Sequence, residues 1–330
     1  MGKWGIGSTK GAPWLHGFQR FYGQMTMREA WAYYPMYMYD FDAASGDDAT
    51  LPATTFRFPV PLNVASDGSL SEELCAVNPG PCSHSNDMFR TAALSYVSAH
   101  NTTSARPFFL MWGPTAPHVG TYNPGTVQTS PVRRLGDRVG TMTMCRRGHA
   151  ASIEQHLDTD VGLLMAALDS SAKLRNTLLV FTSDNGPHAA CADDPGYSPA
   201  FFVSAGGLRG LKMTMWEGGL RVPTIFFWPG KVPANQVMLT PHALYDLGTT
   251  FLELAGVPNW GTNATGPLGA PGGAMSLVPQ LLDPTTPLQR SWLHFELCND
   301  NLPLEWYVAC ARWRLTRWPW ARPARAPPLT

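Results

Sequence analysis

Hydrophobic residues along this chain fall into short runs that stop at polar turns, and longer stretches of helical period separate them. The plainest run is Thr177 to His188, TLLVFTSDNGPH, where β-branched, Leu and Phe residues give way abruptly to Asp184 and Asn185. A continuous apolar run of this length, bounded by a turn, predicts a core strand of a parallel sheet. Pro107 to His118, PFFLMWGPTAPH, reads the same way, as a strand ending in a turn and a histidine. Thr224 to Gly230, TIFFWPG, is another short apolar strand.

Helical periodicity fills the intervals. Residues 85–100 carry Phe89, Ala92, Ala93, Tyr96 and Val97 on one face, with Ser85 or Asn86 as the expected cap. Ile153, Leu157, Val161, Leu164 and Leu168 recur at three- and four-residue intervals and predict a second helix. Thr240 and Pro241 are expected to cap a third, which carries Leu244, Leu247, Phe251 and Leu254 and stops at Gly256. Strand, long helix and strand in succession make a crossover of the kind that builds parallel sheets. The expected fold is therefore α/β, a doubly wound and mostly parallel sheet with helices on both faces. Residues 259–290, rich in Gly, Pro and Thr, read as a connector. Beyond it, SWLHFEL and YVACARWRLTRW read as antiparallel strands of a small C-terminal subdomain, followed by a tail without a core pattern. The expected division is an α/β domain over residues 1–285 and a partial subdomain with a disordered tail over 286–330, both incomplete.

Composition narrows the class. The 330 residues are 44% hydrophobic and 15% charged, which describes a globular protein. Twenty-four basic residues balance twenty-four acidic ones, so no nucleic-acid footprint or polybasic membrane patch is expected. An anionic substrate would have to be held by a few placed cations. No run approaches the ~20 apolar residues of a membrane span. The six cysteines show neither C-x-x-C spacing nor the density of a disulfide scaffold, although Cys75 with Cys82 and Cys298 with Cys310 are close enough in sequence to pair. Asn101 and Asn263 head N-x-T sequons, acceptors for glycans in a secretory compartment.

Chemistry concentrates at the ends of the apolar runs. Ligands of open α/β sheets sit just beyond the carboxyl ends of the strands. Asp184 and Asn185 offer one carboxylate and one amide oxygen there, the hard donors that Ca²⁺ or Mg²⁺ takes. On its own D-N-G equally makes an ordinary turn. Downstream stands LRGLKMTMWEGGLRVP, from Leu208 to Pro223; upstream stand the APH of residues 116–118 and, at the start, GKWGIG, GFQRFYG and AYYP.

These blocks, in this order from about residue 2 to about residue 317, resemble the sulfatase family and specifically its arylsulfatase-like members. The resemblance implies an alkaline-phosphatase-like fold and hydrolysis of a sulfate monoester by a metal-bound formylglycine hydrate. Asp184 and Asn185 match metal ligands of the family, with Ca²⁺ expected ahead of Mg²⁺. Lys212 matches the lysine that contacts the sulfate oxygens, although Leu211 stands where the block has glycine. His118 matches the histidine that protonates the leaving oxygen. Lys3 matches the lysine that orients the hydrate, although Gly5 stands where a histidine is usual. Glu217 and Arg221 are expected to be structural partners, His188 to line the pocket, and His149, His156, His242 and His294 to serve packing or caps.

The family's C-x-P-S-R or S-x-P-S-R stretch, source of the formylglycine, has no counterpart here, and neither Asp47-Asp48 nor Asp193-Asp194 follows the expected first strand as its early metal pair would. The expectation is a fragment or truncated gene product that does not turn over as written. The implied substrate is a sulfated small molecule or sulfated glycan, and the implied location secretory, lysosomal or extracellular. Alternatives are an inactive sulfatase remnant and a phosphoester hydrolase of the same superfamily.

Overall fold

A computed structural model describes residues 1–7, 10–27, 29–31, 33–60, 82–100, 106–118, 147–188, 199, 202–257, 274–287, 292–295 and 312–314. The chain divides into two units, Met1–Leu174 with Ala190–Phe201, and Arg175–Ala189 with Phe202–Thr330.

The first unit is built on a four-stranded sheet of β1 (Gly2–Lys3), β2 (Arg20–Gln24), β3 (Tyr37–Asp42) and β4 (Arg57–Pro59), in that order. β1 runs parallel to β2, and the other pairs are antiparallel. Phe21 stands opposite Phe41 in the register, and both are buried. Trp14 stacks on Phe41 at 4.8 Å between ring centroids, and Phe56 meets Phe41 edge-on at 5.1 Å. Such pairs contribute roughly 0.5–1.5 kcal/mol each beyond the area they bury. Gly2 and Gly23 let the β1 and β2 backbones close together, because a side chain at either would collide with the other's carbonyl or with Gly113.

Pro107–Trp112, expected as a strand, is extended chain that joins the sheet by one parallel bridge, Gly2 to Gly113. Helix α1 (Ser85–Ala99) buries Phe89, Ala93 and Val97, the expected stripe. Its cap differs from the expectation. His84 occupies the cap position without a side-chain bond, and Ser85 and Asn86 are buried inside the first turn. Asn86 is unavailable for capping because its Oδ1 accepts the Thr115 N–H. Helix α2 (Arg147–Ser170) follows the expected period, and Leu168 is buried while Leu157, Val161 and Leu164 are half-buried. The face it buries fully also holds His156 and Asp160, two polar residues.

In the second unit β5 (Leu179–Thr182) pairs antiparallel with β6 (Thr224–Phe227), from Leu179 opposite Phe227 to Thr182 opposite Thr224. A parallel partner for β5 was expected; its bonded neighbour among the described strands runs the other way. The burial of the pair also falls short of core strands, with Phe181 of β5 41% and Ile225 of β6 58% exposed. A two-stranded ladder has little of its own with which to cover both faces.

Helix α3 (Glu217–Leu220) precedes β6, and α4 (Tyr245–Leu254) follows it. α4 ends as expected before Gly256, whose φ of +68° only glycine adopts readily. It starts after Leu244 rather than at Thr240 and Pro241. It buries Asp246, Thr249 and Thr250, leaving Leu244 and Leu254 exposed. The reason is the Asp246 carboxylate, which accepts the N–H groups of Ala243 and Met275 and so turns this face inward. The supposed connector holds a further helix, α5 (Val278–Leu282), flanked by the fully buried Leu277 and itself burying Leu281. Gly and Pro density misread it. β7 (Trp292–His294) and β8 (Arg312–Arg314) pair antiparallel, as expected.

Both structural classes, strands and helices, are thus present, and the α/β expectation holds. No helix among the described residues is long and apolar enough to cross a membrane. Cys82 is disulfide-bonded, while Cys75, Cys298, Cys310 and both sequon asparagines lie outside the described residues.

Candidate functional site

Three of the five expected site residues, Asp184, Asn185 and Lys212, belong to the second unit, and its backbone brings them together. Asp184 and Asn185 form the turn directly after β5, where the Ser183 hydroxyl donates to the Asn185 carbonyl at 3.0 Å. The next residues are stitched to the 208–220 segment. Gly186 N–H donates to the Gly219 carbonyl at 3.0 Å, and Lys212 N–H donates to the Pro187 carbonyl at 2.8 Å. Gly218 N–H reaches back to the Arg209 carbonyl at 2.8 Å.

Glycine is required at these crossings. A Cβ on Gly186 would overlap the Gly218 carbonyl, and one on Gly218 the Gly210 carbonyl. The loop is held from inside as well. Thr214 Oγ1 donates to the Leu211 carbonyl at 2.7 Å, Arg209 lies over the Trp216 ring at 3.6 Å, and Glu217 pairs with Arg221 as expected.

Lys212 is half-buried and close enough to His188 to act on it electrostatically. Loss of water around the His188 ring, and then the Lys212 ammonium, hold that imidazole below its usual range. The Lys212 ammonium and the His188 imidazole therefore lie near one another, on segments that main-chain bonds join just after Asp184 and Asn185.

Lys3 and His118 belong to the first unit. Lys3 ends β1, and its N–H donates to the Gly113 carbonyl at 2.7 Å. The chain that Gly113 opens continues to a turn in which His118 N–H donates to the Thr115 carbonyl at 2.8 Å. Two buried side chains hold this turn. Asn86 Oδ1 accepts the Thr115 N–H at 3.1 Å, and the Tyr33 hydroxyl donates to the His118 carbonyl at 2.5 Å.

One group of titratable residues escaped the sequence reading. Asp87, His156 and Asp160 bring their ligand-type atoms within 4.8 Å of one another, an arrangement that could hold a metal ion. Arg90 already stands among them, with Nη1 at 2.7 Å from both Asp87 Oδ1 and Asp160 Oδ1. His156 Nε2 lies 3.0 Å from Asp87 Oδ1. A guanidinium so placed supplies the positive charge that a cation would, so the cluster is an ion-pair network between α1 and α2. Against burial, which opposes it, the His156 contact and Arg90 hold the Asp87 carboxyl below the usual range, while burial raises that of Asp160. Beside it His84 stacks on Tyr33 at 5.0 Å and lies 5.4 Å from the His156 ring. Burial pushes its imidazole down to about 3. The expectation that His156 serves packing or a cap thus missed its contacts with Asp87 and Asp160. The signal was present in the spacings, Asp87 with Arg90 and His156 with Asp160, which put each pair on one helix face.

Comparison with known proteins adds what geometry within each unit leaves open. The sequence profile of the family described as Sulfatase matches residues 1–257. The chain belongs to the sulfatase family. It is 33% identical over 165 residues to the N-acetylgalactosamine-6-sulfatase of Canis lupus familiaris, a match covering 50% of this chain and 28% of that protein. It is 33% identical over 160 residues to arylsulfatase G of the same animal, covering 48% of this chain and 27% of the relative. Among solved structures, the PsFucS1 sulfatase from Pseudoalteromonas sp. aligns with a TM-score of 0.54 at 25% identity, over 78% of this chain and 47% of that one. The fold of this sulfatase chain is accordingly alkaline-phosphatase-like, and the chain matches under a third of the length of these curated relatives.

Proposed function

We propose that this sulfatase chain contributes the substrate-holding part of a sulfuric ester hydrolase. The observation that supports the reading is the main-chain stitching of Gly186 and Pro187, the residues directly after Asp184 and Asn185, to the loop that carries the half-buried Lys212. A carboxylate and an amide oxygen suit Ca²⁺, and Mg²⁺ less well, in donor chemistry; the two fall short of the about 6–8 oxygens that Ca²⁺ takes, so further ligands complete the shell. Bound there, the metal supplies positive charge toward the ester's anionic oxygens.

The chain's own groups take the remaining roles. Lys212 holds sulfate oxygens through its ammonium, a compact cation with three donors. His118 gives a proton to the leaving oxygen, work an imidazole suits because it titrates near neutrality. Lys3 orients the nucleophile. These 330 residues contain neither a C-x-P-S-R nor an S-x-P-S-R motif, so the nucleophile is not assigned to any of them. The names of the relatives, an N-acetylgalactosamine-6-sulfatase and an arylsulfatase, support a sulfated sugar or an aryl sulfate as substrate. Membership of the sulfatase family favours sulfate over phosphate.

The test is sulfate release from an aryl sulfate and from a 6-sulfated N-acetylgalactosamine by the full-length form. Asp184→Ala, Lys212→Ala and His118→Ala should each lower kcat/KM by about 100-fold or more, the scale of losing one placed electrostatic or acid group. Wild-type rates in any of the three would remove that residue from the mechanism.

A further inference from the structure

We propose that Tyr33 and Asn86 are positioning residues for His118, a role that rests on the reading of His118 as the proton donor. Both act on backbone rather than on the imidazole itself. Asn86 Oδ1 accepts the Thr115 N–H at 3.1 Å and the Tyr33 hydroxyl donates to the His118 carbonyl at 2.5 Å, so the two ends of the turn from Thr115 to His118 are each tied to a different element. The turn also closes on itself through the bond from His118 N–H to the Thr115 carbonyl. With both ends held, the direction in which the His118 side chain leaves the backbone is set by two buried side chains.

Those side chains are themselves fixed. Tyr33 and Asn86 are each 1% exposed, and Thr115 4%. The Tyr33 ring is stacked at 11° on His84, the residue that opens α1. Asn86 lies in the first turn of α1, which Asp87 and Arg90 anchor to Asp160 and His156 of α2. The ion-pair network thus holds the helix end that holds the turn. A neutral hydrogen bond of this kind nets only about 1 kcal/mol. Placement matters more than that figure, because a misplacement of ~1 Å can cost about 100-fold in rate.

The variants are Tyr33→Phe, which deletes one hydroxyl, Asn86→Ala, which deletes the acceptor, and Asn86→Asp, which restores an acceptor oxygen. Two readouts apply to each in the full-length form. One is the His118 Cε1–H resonance followed through a pH titration by NMR, and the other is the split between kcat and KM for an aryl sulfate. Tyr33→Phe and Asn86→Ala should move the His118 resonance, change its midpoint by at least about 0.3 of a pH unit, a twofold change in proton affinity, and lower kcat about tenfold or more with KM nearly unchanged. Asn86→Asp should recover most of both.

If the titration and kcat are unmoved in both variants while His118→Ala is crippled, the positioning role is overturned and the proton-donor reading survives. If the titration moves but His118→Ala keeps full activity, the contacts act on His118 as described and the proton-donor reading falls instead. A loss of kcat that Asn86→Asp leaves unrepaired, with an unmoved resonance, would mark a general packing defect and refute the proposal.

Discussion

His84 makes this chain sensitive to acid, by an amount that follows from its surroundings. The ring is 3% exposed, and neither Nδ1 nor Nε2 has a hydrogen-bond partner. Burial pushes its imidazole from the ordinary 6.5 down to about 3, the nearby Asp87 only partly opposing this. In the unfolded chain the same ring takes a proton near pH 6.5, so on acidification the unfolded state gains protons that the folded state refuses. Stability is therefore complete above about pH 6.5 and falls as the pH descends toward 3. The linkage relation puts the loss at about 2 kcal/mol by pH 5, approaching about 5 kcal/mol in full near pH 3.

Urea unfolding followed by far-UV circular dichroism at about pH 8 and about pH 5 measures this directly. His84→Phe keeps a ring against Tyr33 and removes both the titration and the two orphaned nitrogens. His84→Leu serves if the larger ring overfills the site. The wild type should lose about 2 kcal/mol more than the variant between the two pH values. Asp87, whose carboxyl is held low, loses its contribution only below its ordinary 3.8, outside this window. An equal loss in wild type and both variants would refute the argument.

Three further outcomes are expected. Arg90→Met deprives the Asp160 carboxylate, with a side chain 1% exposed, of its guanidinium and leaves it only the His156 contact at 3.5 Å; a cost of roughly 3–5 kcal/mol in urea is expected, and less than about 1 would mean that His156 or water compensates it. Gly186→Ala forces a methyl group onto the Gly218 carbonyl; a destabilisation of roughly 1–3 kcal/mol by thermal melt is expected, together with displaced amide signals at Lys212, and an unchanged spectrum would show that the crossing is loose. Lys212→Ala should raise the His188 midpoint, since the ammonium is one of the two influences that lower it; a His188 titration that stays put would separate the two side chains.

Much of this arrangement was readable in the residue order. The stripes of α1 and α2, the turn after β5 and the terminal hairpin follow from periodicity alone, because one apolar face or one abrupt polar stop leaves few alternatives. The first sheet was not readable. Its strands carry Arg20, Tyr22, Gln24 and Asp40 among their aromatics, and glycine at Gly23 breaks the pattern, so only tertiary closure reveals it. α4 misled for a related reason. A leucine stripe suggested its inner face, yet Asp246, by accepting two backbone N–H groups, set the opposite one inward. Within the candidate site, the sequence nominated Asp184, Asn185 and Lys212 through the motifs around them, whereas the contacts that hold the His118 turn were not legible, since Tyr33 and Asn86 reach it across long separations in sequence through backbone atoms that carry no residue signature.

The crossing of Gly186 with Gly218 and Gly219 has a mechanical consequence. Main chain pressed on main chain leaves no flexible side chain between the two segments to absorb a displacement. Whatever draws Asp184 and Asn185 forward must drag the lysine-bearing segment with it, and whatever neutralises Lys212 must tug on the acidic turn. The pair would answer a ligand as a single rigid jaw rather than as two independent fingers.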